Sequence, residues 1–132
     1  MTQPVTISTQ DGIATVTIDN PPVNALSQAV RQGLAGAVQQ TEADADVRAV
    51  VLICTGRTFI AGADVREFGQ APQEPHLPDV IDMIEGAKKP WIAALHGTAL
   101  GGGLEVALGC RFRLAVPSAR LGLPEVNLGL IP

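Results

Sequence analysis

The sequence predicts an α/β fold, and three observations carry that reading. Two short, β-branched apolar runs, "AVVLICT" at 49–55 and "WIAALHG" at 91–97, read as buried strands. A segment with helical apolar spacing precedes each of them. An alternating hairpin opens the chain. Strands that alternate with helices build α/β layers.

Each element follows from its residues. "VTISTQDGIATVTID" alternates apolar and polar residues on both sides of Gln10-Asp11-Gly12, and Asp-Gly between such runs is a strong hairpin signal. Pro21 and Pro22 bar regular structure from "NPPVNAL". Ser27 is placed to cap a helix over 28–42 whose inner face holds Val30, Leu34 and Val38. "AVVLICT" suits a central strand covered on both faces. In "GRTFIAGADVREF", Asp64 and Glu67 have capping-box spacing, which predicts a short helix from Val65. A proline-rich loop, "QAPQEPHLP", comes next. "DVIDMIEGAKK" then sets Val80, Ile81, Ile84 and Ala87 on one helical face and Asp79, Asp82 and Glu85 on the solvated one. Pro90 ends that helix before "WIAALHG". A helix opening at Gly102 or Gly103, a strand at "RFRLAV" and a turn-rich tail, "GLPEVNLGLIP", complete the order. Leu121, Leu123, Val126, Leu128, Leu130 and Ile131 crowd that tail. Such density normally packs against something that follows, so residues 1–132 read as the first part of a longer domain.

Bulk composition excludes several function classes. At 132 residues, 46% apolar and 17% charged, the chain has enough apolar material for a packed core and is not disordered. A net charge of −4 with scattered cations argues against nucleic acid as a partner. Cys54 and Cys110 lie in apolar segments and read as reduced core residues of a cytoplasmic protein, and no secretory signal is visible at the N-terminus. Residues 91–110 carry one formal charge and have the length of a membrane span. The central Glu105 and four glycines between 97 and 103 favour strand, turn and helix instead, so no membrane partner is expected. His76 and His96 have no ligand-spaced companions, so no metal is expected, and His96 reads as a hydrogen-bonded structural group. P-loop, G-x-S-x-G and G-x-G-x-x-G patterns are all missing.

What remains is "HGTALGGGLEVALGC" at 96–110. A helix that begins within Gly101-Gly102-Gly103 points unpaired N–H groups, and partial positive charge, at whatever precedes it. Without Cβ atoms a ligand can approach that backbone closely. Taken alone, the glycines suit tight strand–helix packing equally well. Gly62 and Ala63, ahead of Asp64, offer a second reachable N–H, and alone they read as an ordinary helix start. Glu105 and Glu125 each sit among apolar neighbours in the sequence. An ionised carboxylate in such company has a partner, is wetted, or is held for chemistry. Two N–H loops with two glutamates suit proton transfer beside a carbonyl.

These residues also resemble the crotonase superfamily, the enoyl-CoA hydratase/isomerase family, along essentially the whole chain. "NPPVNAL", "FIAGADVREF", "KKPWIAALHGTALGGGLEVAL" and "LGLPEVNLGLIP" carry the resemblance. It is strongest to the hydratase end of multifunctional fatty-acid β-oxidation enzymes. The resemblance implies a spiral of β-β-α units, of which this chain is the N-terminal part. It implies oxyanion-hole N–H groups at Ala63 and Gly102, and catalytic glutamates at Glu105, which activates water, and Glu125, which exchanges the C2 proton. It also implies that Ala25, Leu26, Ile60, Gly62, Ala63, Asp64 and Gly102 line an acyl-CoA site, with coenzyme A thioester as substrate and no separate cofactor. The implied reaction is hydration of 2-trans-enoyl-CoA, with Δ3-Δ2 isomerisation as a companion. Thioester hydrolysis, dehalogenation and a non-catalytic acyl-CoA-binding module are the alternatives. A homo-oligomer, trimer or hexamer, is expected of a complete domain, and a 3-hydroxyacyl-CoA dehydrogenase is expected further along the full-length protein.

Overall fold

The computed structural model describes residues 3–132. β1 (Val5–Gln10) and β2 (Ile13–Ile18) pair antiparallel as the expected hairpin. Asp11 and Gly12 both have positive φ, 52° and 82°, as a two-residue type I′ turn requires. α1 (Gln28–Ala43) starts at Ser27, whose hydroxyl accepts from the Val30 N–H at 3.3 Å. β3 (Ala49–Cys54), α2 (Leu77–Gly86), β4 (Trp91–Leu95), β5 (Thr98–Leu100), α3 (Gly102–Gly109), β6 (Phe112–Ala115) and β7 (Arg120–Gly122) follow. Single 3-10 turns span Val65–Glu67 and Pro124–Leu128.

Five strands form one sheet in the order β1-β2-β3-β4-β6, parallel from β2 onward. β5 and β7 make a separate two-stranded parallel sheet. β1-β2-α1 and β4-β5-α3 are the β-β-α units. Val16, Ile18, Val50, Leu52, Ala93 and Leu95 point from the large sheet into the core, together with Val30 and Leu34 of α1 and Val80 and Ile84 of α2. Asp79, Asp82 and Glu85 face solvent, as an amphipathic helix requires.

The structure departs from the sequence expectations in several places, one of them the end of α2 at Gly86, before Pro90 is reached. β3 is not covered equally on both faces: Val50, Leu52 and Cys54 are buried, whereas Ala49, Val51 and Ile53 are half-exposed. The helices pack on one side, and an alternating burial pattern results. α2 begins at Leu77 rather than at Asp79, because Pro78 is well suited to a first helical turn. β5 and β7 were not anticipated. Each is three residues long, and β5 lies between Gly97 and Gly101, so neither shows a periodic pattern.

Cys54 and Cys110 are free and buried, and burial raises both thiol pKa values, that of Cys110 to about 12. Among the described residues no helix is long and apolar enough to cross a membrane. The 91–110 segment is divided into β4, β5 and α3.

α1 and the approach to β4 are joined by Glu42. Its carboxylate accepts from the Lys88 N–H at 2.9 Å and the Lys89 N–H at 3.1 Å. The Lys88 hydrogen bond, with the Lys89 bond and both lysine charges, holds the Glu42 pKa below its ordinary 4.5 against the opposing effect of burial. A lowered folded-state pKa gives stability that is present above the unfolded-state value and is lost as pH falls through the folded one. Glu42→Gln should therefore lower stability at pH 7 by about 1 kcal/mol or less, since solvent screens the site. The gap to wild type should close as urea melts are taken down through the carboxylate range. A gap that persists at low pH would show that the Glu42 charge is not its source.

The C-terminal apolar residues remain uncovered. Val126 and Leu128 are 70% exposed and Ile131 is 93% exposed, and Phe112 and Leu114 of β6 are exposed as well. Burying one such side chain is worth about 1.5–3 kcal/mol, so this face favours a covering partner. The chain should self-associate in sedimentation velocity, and Val126→Glu with Leu128→Glu should shift it toward monomer. A monomeric wild type at all concentrations would show that this face is inert.

Candidate active site

The site is built where Ile60–Asp64 presses against the turn at Leu100–Gly103. The Leu100 N–H donates to the Ile60 carbonyl at 3.1 Å. A Cβ on Gly103 would stand 2.3 Å from that same carbonyl oxygen, so only glycine permits the approach. Gly101 has φ 55°, and its N–H donates to the Gly122 carbonyl at 2.9 Å, tying α3 to β7.

Two backbone N–H groups are left free by this packing. Ala63 is exposed and pairs with Leu26 in an isolated parallel bridge, in which the Leu26 N–H donates to the Gly62 carbonyl at 2.9 Å. The Ala63 N–H donates to no protein group among the described residues. Gly102 is the first residue of α3, where an N–H has no intrahelical acceptor. Leu26 links the two. Its Cδ1 lies 3.0 Å from the position of a Cβ on Gly102, with Leu77 Cδ2 at 2.8 Å.

The two glutamates flank this place differently from what their sequence neighbours suggested. Glu105 is half-buried in the first turn of α3, and its N–H donates to the Gly101 carbonyl at 3.0 Å. Leu108 on the same helix is exposed, so Glu105 sits at the margin of an apolar helix rather than deep within one. Glu125 is not covered by Leu121, Leu123 and Val126, which are themselves exposed. Its carboxylate lies against the start of α3, with Oε2 at 2.6 Å from the position of a Cβ on Gly101. Oε1 is buried without a hydrogen-bond partner. A buried orphan oxygen is costly unless a proton, water or ligand satisfies it.

Ala63 and Asp64 form a wall shared by two clefts. One, of about 340 Å³, is lined by Leu26, Phe68, His76 and Leu77 as well. The other, of about 400 Å³, is lined by Pro22, Ala25, Gly62 and Arg66. A larger cleft of about 710 Å³ between β1 and α1 has no titratable side chain in its lining among the described residues. Ile60 is fully buried and lines neither of the two clefts at Ala63. What it presents to the site is its carbonyl. Among the described residues no group of three or more His, Cys, Asp or Glu side chains could hold a metal ion.

Asp64 is only 6% exposed, yet it is held charged. The Arg66 guanidinium grips it with bonds of 2.9 and 2.7 Å, and the Arg66 N–H donates to it at 3.0 Å. The Arg66 side-chain bond leads the effects that keep its carboxyl below the usual range, against the effect of burial. Asp64 therefore caps the 3-10 turn as expected, but the capping box is not closed. Glu67 reaches α1 instead, accepting from the Gln28 N–H at 2.8 Å and from Arg31 at 3.1 Å. A charged partner on α1 is a stronger attraction than the backbone of a single 3-10 turn.

Three contributors were missed in the sequence. Leu77, the first residue of α2, reaches Gly102 from a position that the sequence reads as proline-rich connection. Arg31 is largely covered beside the apolar face of α1, and a lone cation next to Val30 was its only signal. Asn24, with φ 54°, is 2% exposed and donates to the Thr55 and Thr58 carbonyls at 2.9 and 3.0 Å. His96 fills the structural role expected of it, with Nε2 at 2.8 Å from the Gly56 carbonyl.

Comparison with known proteins adds a relationship to this geometry. The enoyl-CoA hydratase/isomerase family matches residues 8–132. The peroxisomal bifunctional enzyme of Danio rerio is 48% identical over 120 residues, covering 91% of this chain and 17% of that protein. A probable enoyl-CoA hydratase of Bacillus subtilis is 43% identical over 135 residues, covering 97% of this chain and 52% of that protein. The crystal structure of an enoyl-CoA hydratase from Bacillus anthracis superposes with a TM-score of 0.91 at 33% identity, covering 98% of this chain and 54% of that one. A probable enoyl-CoA hydratase/isomerase from Mycobacterium abscessus gives 0.88 at 38% identity, with coverage of 99% and 52%. This chain therefore spans about half the length of the bacterial relatives, and less of the bifunctional enzyme. With the match extending over residues 8–132 and the β-β-α architecture in common, the chain belongs to the enoyl-CoA hydratase/isomerase family.

Proposed function

We propose that this chain supplies the catalytic half-site for hydration of 2-trans-enoyl-CoA to 3-hydroxyacyl-CoA. One observation carries the reading: the partnerless N–H groups of Ala63 and Gly102 are joined through Leu26, with the Glu125 carboxylate against the adjoining Gly101. Such donors suit a thioester oxygen that gains negative charge, because they are already oriented when the charge develops. In the proposed reaction Glu105 takes a proton from water as its oxygen adds to C3. The electron pair moves to the thioester oxygen, held between the two N–H groups, and Glu125 delivers a proton to C2. The unpartnered Oε1 of Glu125 supports this role, since a group that must exchange a proton with substrate cannot be saturated by the protein. The same pair can carry a proton between C2 and C4, which extends the proposal to Δ3-Δ2 isomerisation.

The cleft that contains Ala25, Gly62, Ala63 and Asp64 is proposed for the pantetheine side of the substrate. The cleft closed by Leu26, Phe68 and Leu77 is proposed for the acyl side. Coenzyme A enters as substrate, with no separate cofactor. Homo-oligomerisation and a dehydrogenase further along the full-length protein are part of the same proposal, the latter supported by the bifunctional and multifunctional relatives. Several relatives are named peroxisomal or glyoxysomal, so they give no support to the cytoplasmic placement expected from the sequence. The free, buried Cys54 and Cys110 suit a reducing compartment.

Glu105→Gln and Glu125→Gln should each lower the rate of crotonyl-CoA hydration by about 10²–10⁴-fold while binding of a saturated acyl-CoA stays within a few-fold. Loss of the enoyl thioester absorbance reads the rate, and calorimetry reads the binding. Turnover close to wild type in either variant would reduce that glutamate to a structural role.

Gly102→Pro should lower turnover more than Gly102→Ala. Proline is well tolerated at the first helical position, so it deletes the N–H with little effect on α3. Losing one such donor is worth about 2.7–4 kcal/mol of transition-state stabilisation. Alanine keeps the donor, and its methyl meets only the flexible ends of Leu77 and Leu26. Equal activity in two folded variants would remove Gly102 from the oxyanion hole.

A further inference from the structure

We infer that Arg31, which borders the cleft at Leu26 and Leu77 but spends its donors on protein acceptors, is a positioning residue for the two backbone donors, acting from α1. Its side chain is 11% exposed and fastens three separate segments. One terminal nitrogen donates to the Leu26 carbonyl at 2.8 Å and to Glu67 Oε1 at 3.1 Å. Nε donates to the Pro75 carbonyl at 2.8 Å, and the other terminal nitrogen to the Gln73 carbonyl at 3.1 Å.

Each of the three segments ends at the site. Leu26 bridges to Ala63 and touches Gly102. Glu67 lies in the 3-10 turn capped by Asp64, directly after Ala63, and its second oxygen is fixed by the Gln28 N–H. Residues 73–75 lead into Leu77, which packs on Gly102. The Arg31 guanidinium is thus a common origin for the placement of the Ala63 loop and of the side chains that border Gly102. A planar fork meets four acceptors at once, whereas a lysine ammonium on the same stem is a point charge that cannot.

The inference rests on the hydratase reading, and it predicts a selective loss. Arg31→Lys should keep affinity for butyryl-CoA within a few-fold. It should weaken recognition of the enolate of acetoacetyl-CoA by about ten- to hundred-fold, the scale on which misplacement of about 1 Å acts. The enolate is a charged mimic of the intermediate, and its ultraviolet band gives the ionised fraction on the protein. Arg31→Met and Glu67→Gln extend the series, with thermal melts on every variant.

Equal weakening toward butyryl-CoA and enolate, or a fall in melting temperature with the enolate fraction unchanged, would overturn the inference and leave Arg31 a stabilising residue only. Wild type that binds butyryl-CoA but does not raise the enolate fraction would overturn the oxyanion-hole reading, and the inference with it. Wild type that raises the fraction, beside an Arg31→Lys variant that raises it equally, would overturn the inference alone.

Discussion

The approach of one bare backbone to another at Ile60 and Gly103 sets everything else in the site. The Ile60 carbonyl accepts the Leu100 N–H and lies where any side chain at 103 would stand. That contact fixes where α3 begins, and so where the Gly102 N–H is. It also fixes the height of the Ala63 loop, which follows Ile60 by three residues. Two hydrogen-bond donors from distant parts of the chain are thereby held in place, with Leu26 adjoining both. The rigidity comes from a packed core on either side, since Ile60, Leu26 and Phe59 are almost wholly buried.

Two of the acids near these donors are treated in opposite ways. Asp64 is surrounded by donors and kept ionised by Arg66, which makes it a fixed charge with a structural duty. Glu125 is packed against glycine backbone with an oxygen that no protein group satisfies. A protein that needed Glu125 only for stability would gain by giving that oxygen a partner. The contrast separates a carboxylate saturated by donors from one left unsatisfied more sharply than burial does.

Local patterns in the sequence disclosed the elements, and long-range pairings stayed hidden. Asp11-Gly12, Ser27 and the spacing of Val30, Leu34 and Val38 act within a few residues, so the hairpin and α1 were legible. The three-residue β5 and β7 have no period to read, and each is defined by a partner some twenty residues away. Glu67 obeyed a local rule on paper and a distant cation in the fold, because Arg31 offers a charged partner that the Asp64 backbone cannot match. The nature of Glu125 was legible, but the reason for its burial was not. Its apolar neighbours point outward, and the cover comes from the turn at Gly101.

The order of strands in the large sheet follows their order along the chain, with β5 and β7 set aside in a sheet of their own. Each new strand is therefore laid on an edge that already exists, beginning with a hairpin closed by a two-residue turn. A ribosome releases the N-terminus first, so the polypeptide can add strands in the sequence in which they emerge. The loop to be closed at every step is a single crossover, which keeps the entropic barrier of each addition small. β6 is the last strand so added, and its outer edge has no partner among the described residues. The same feature that makes the sheet simple to assemble leaves an open rim, where backbone groups are free to template another strand.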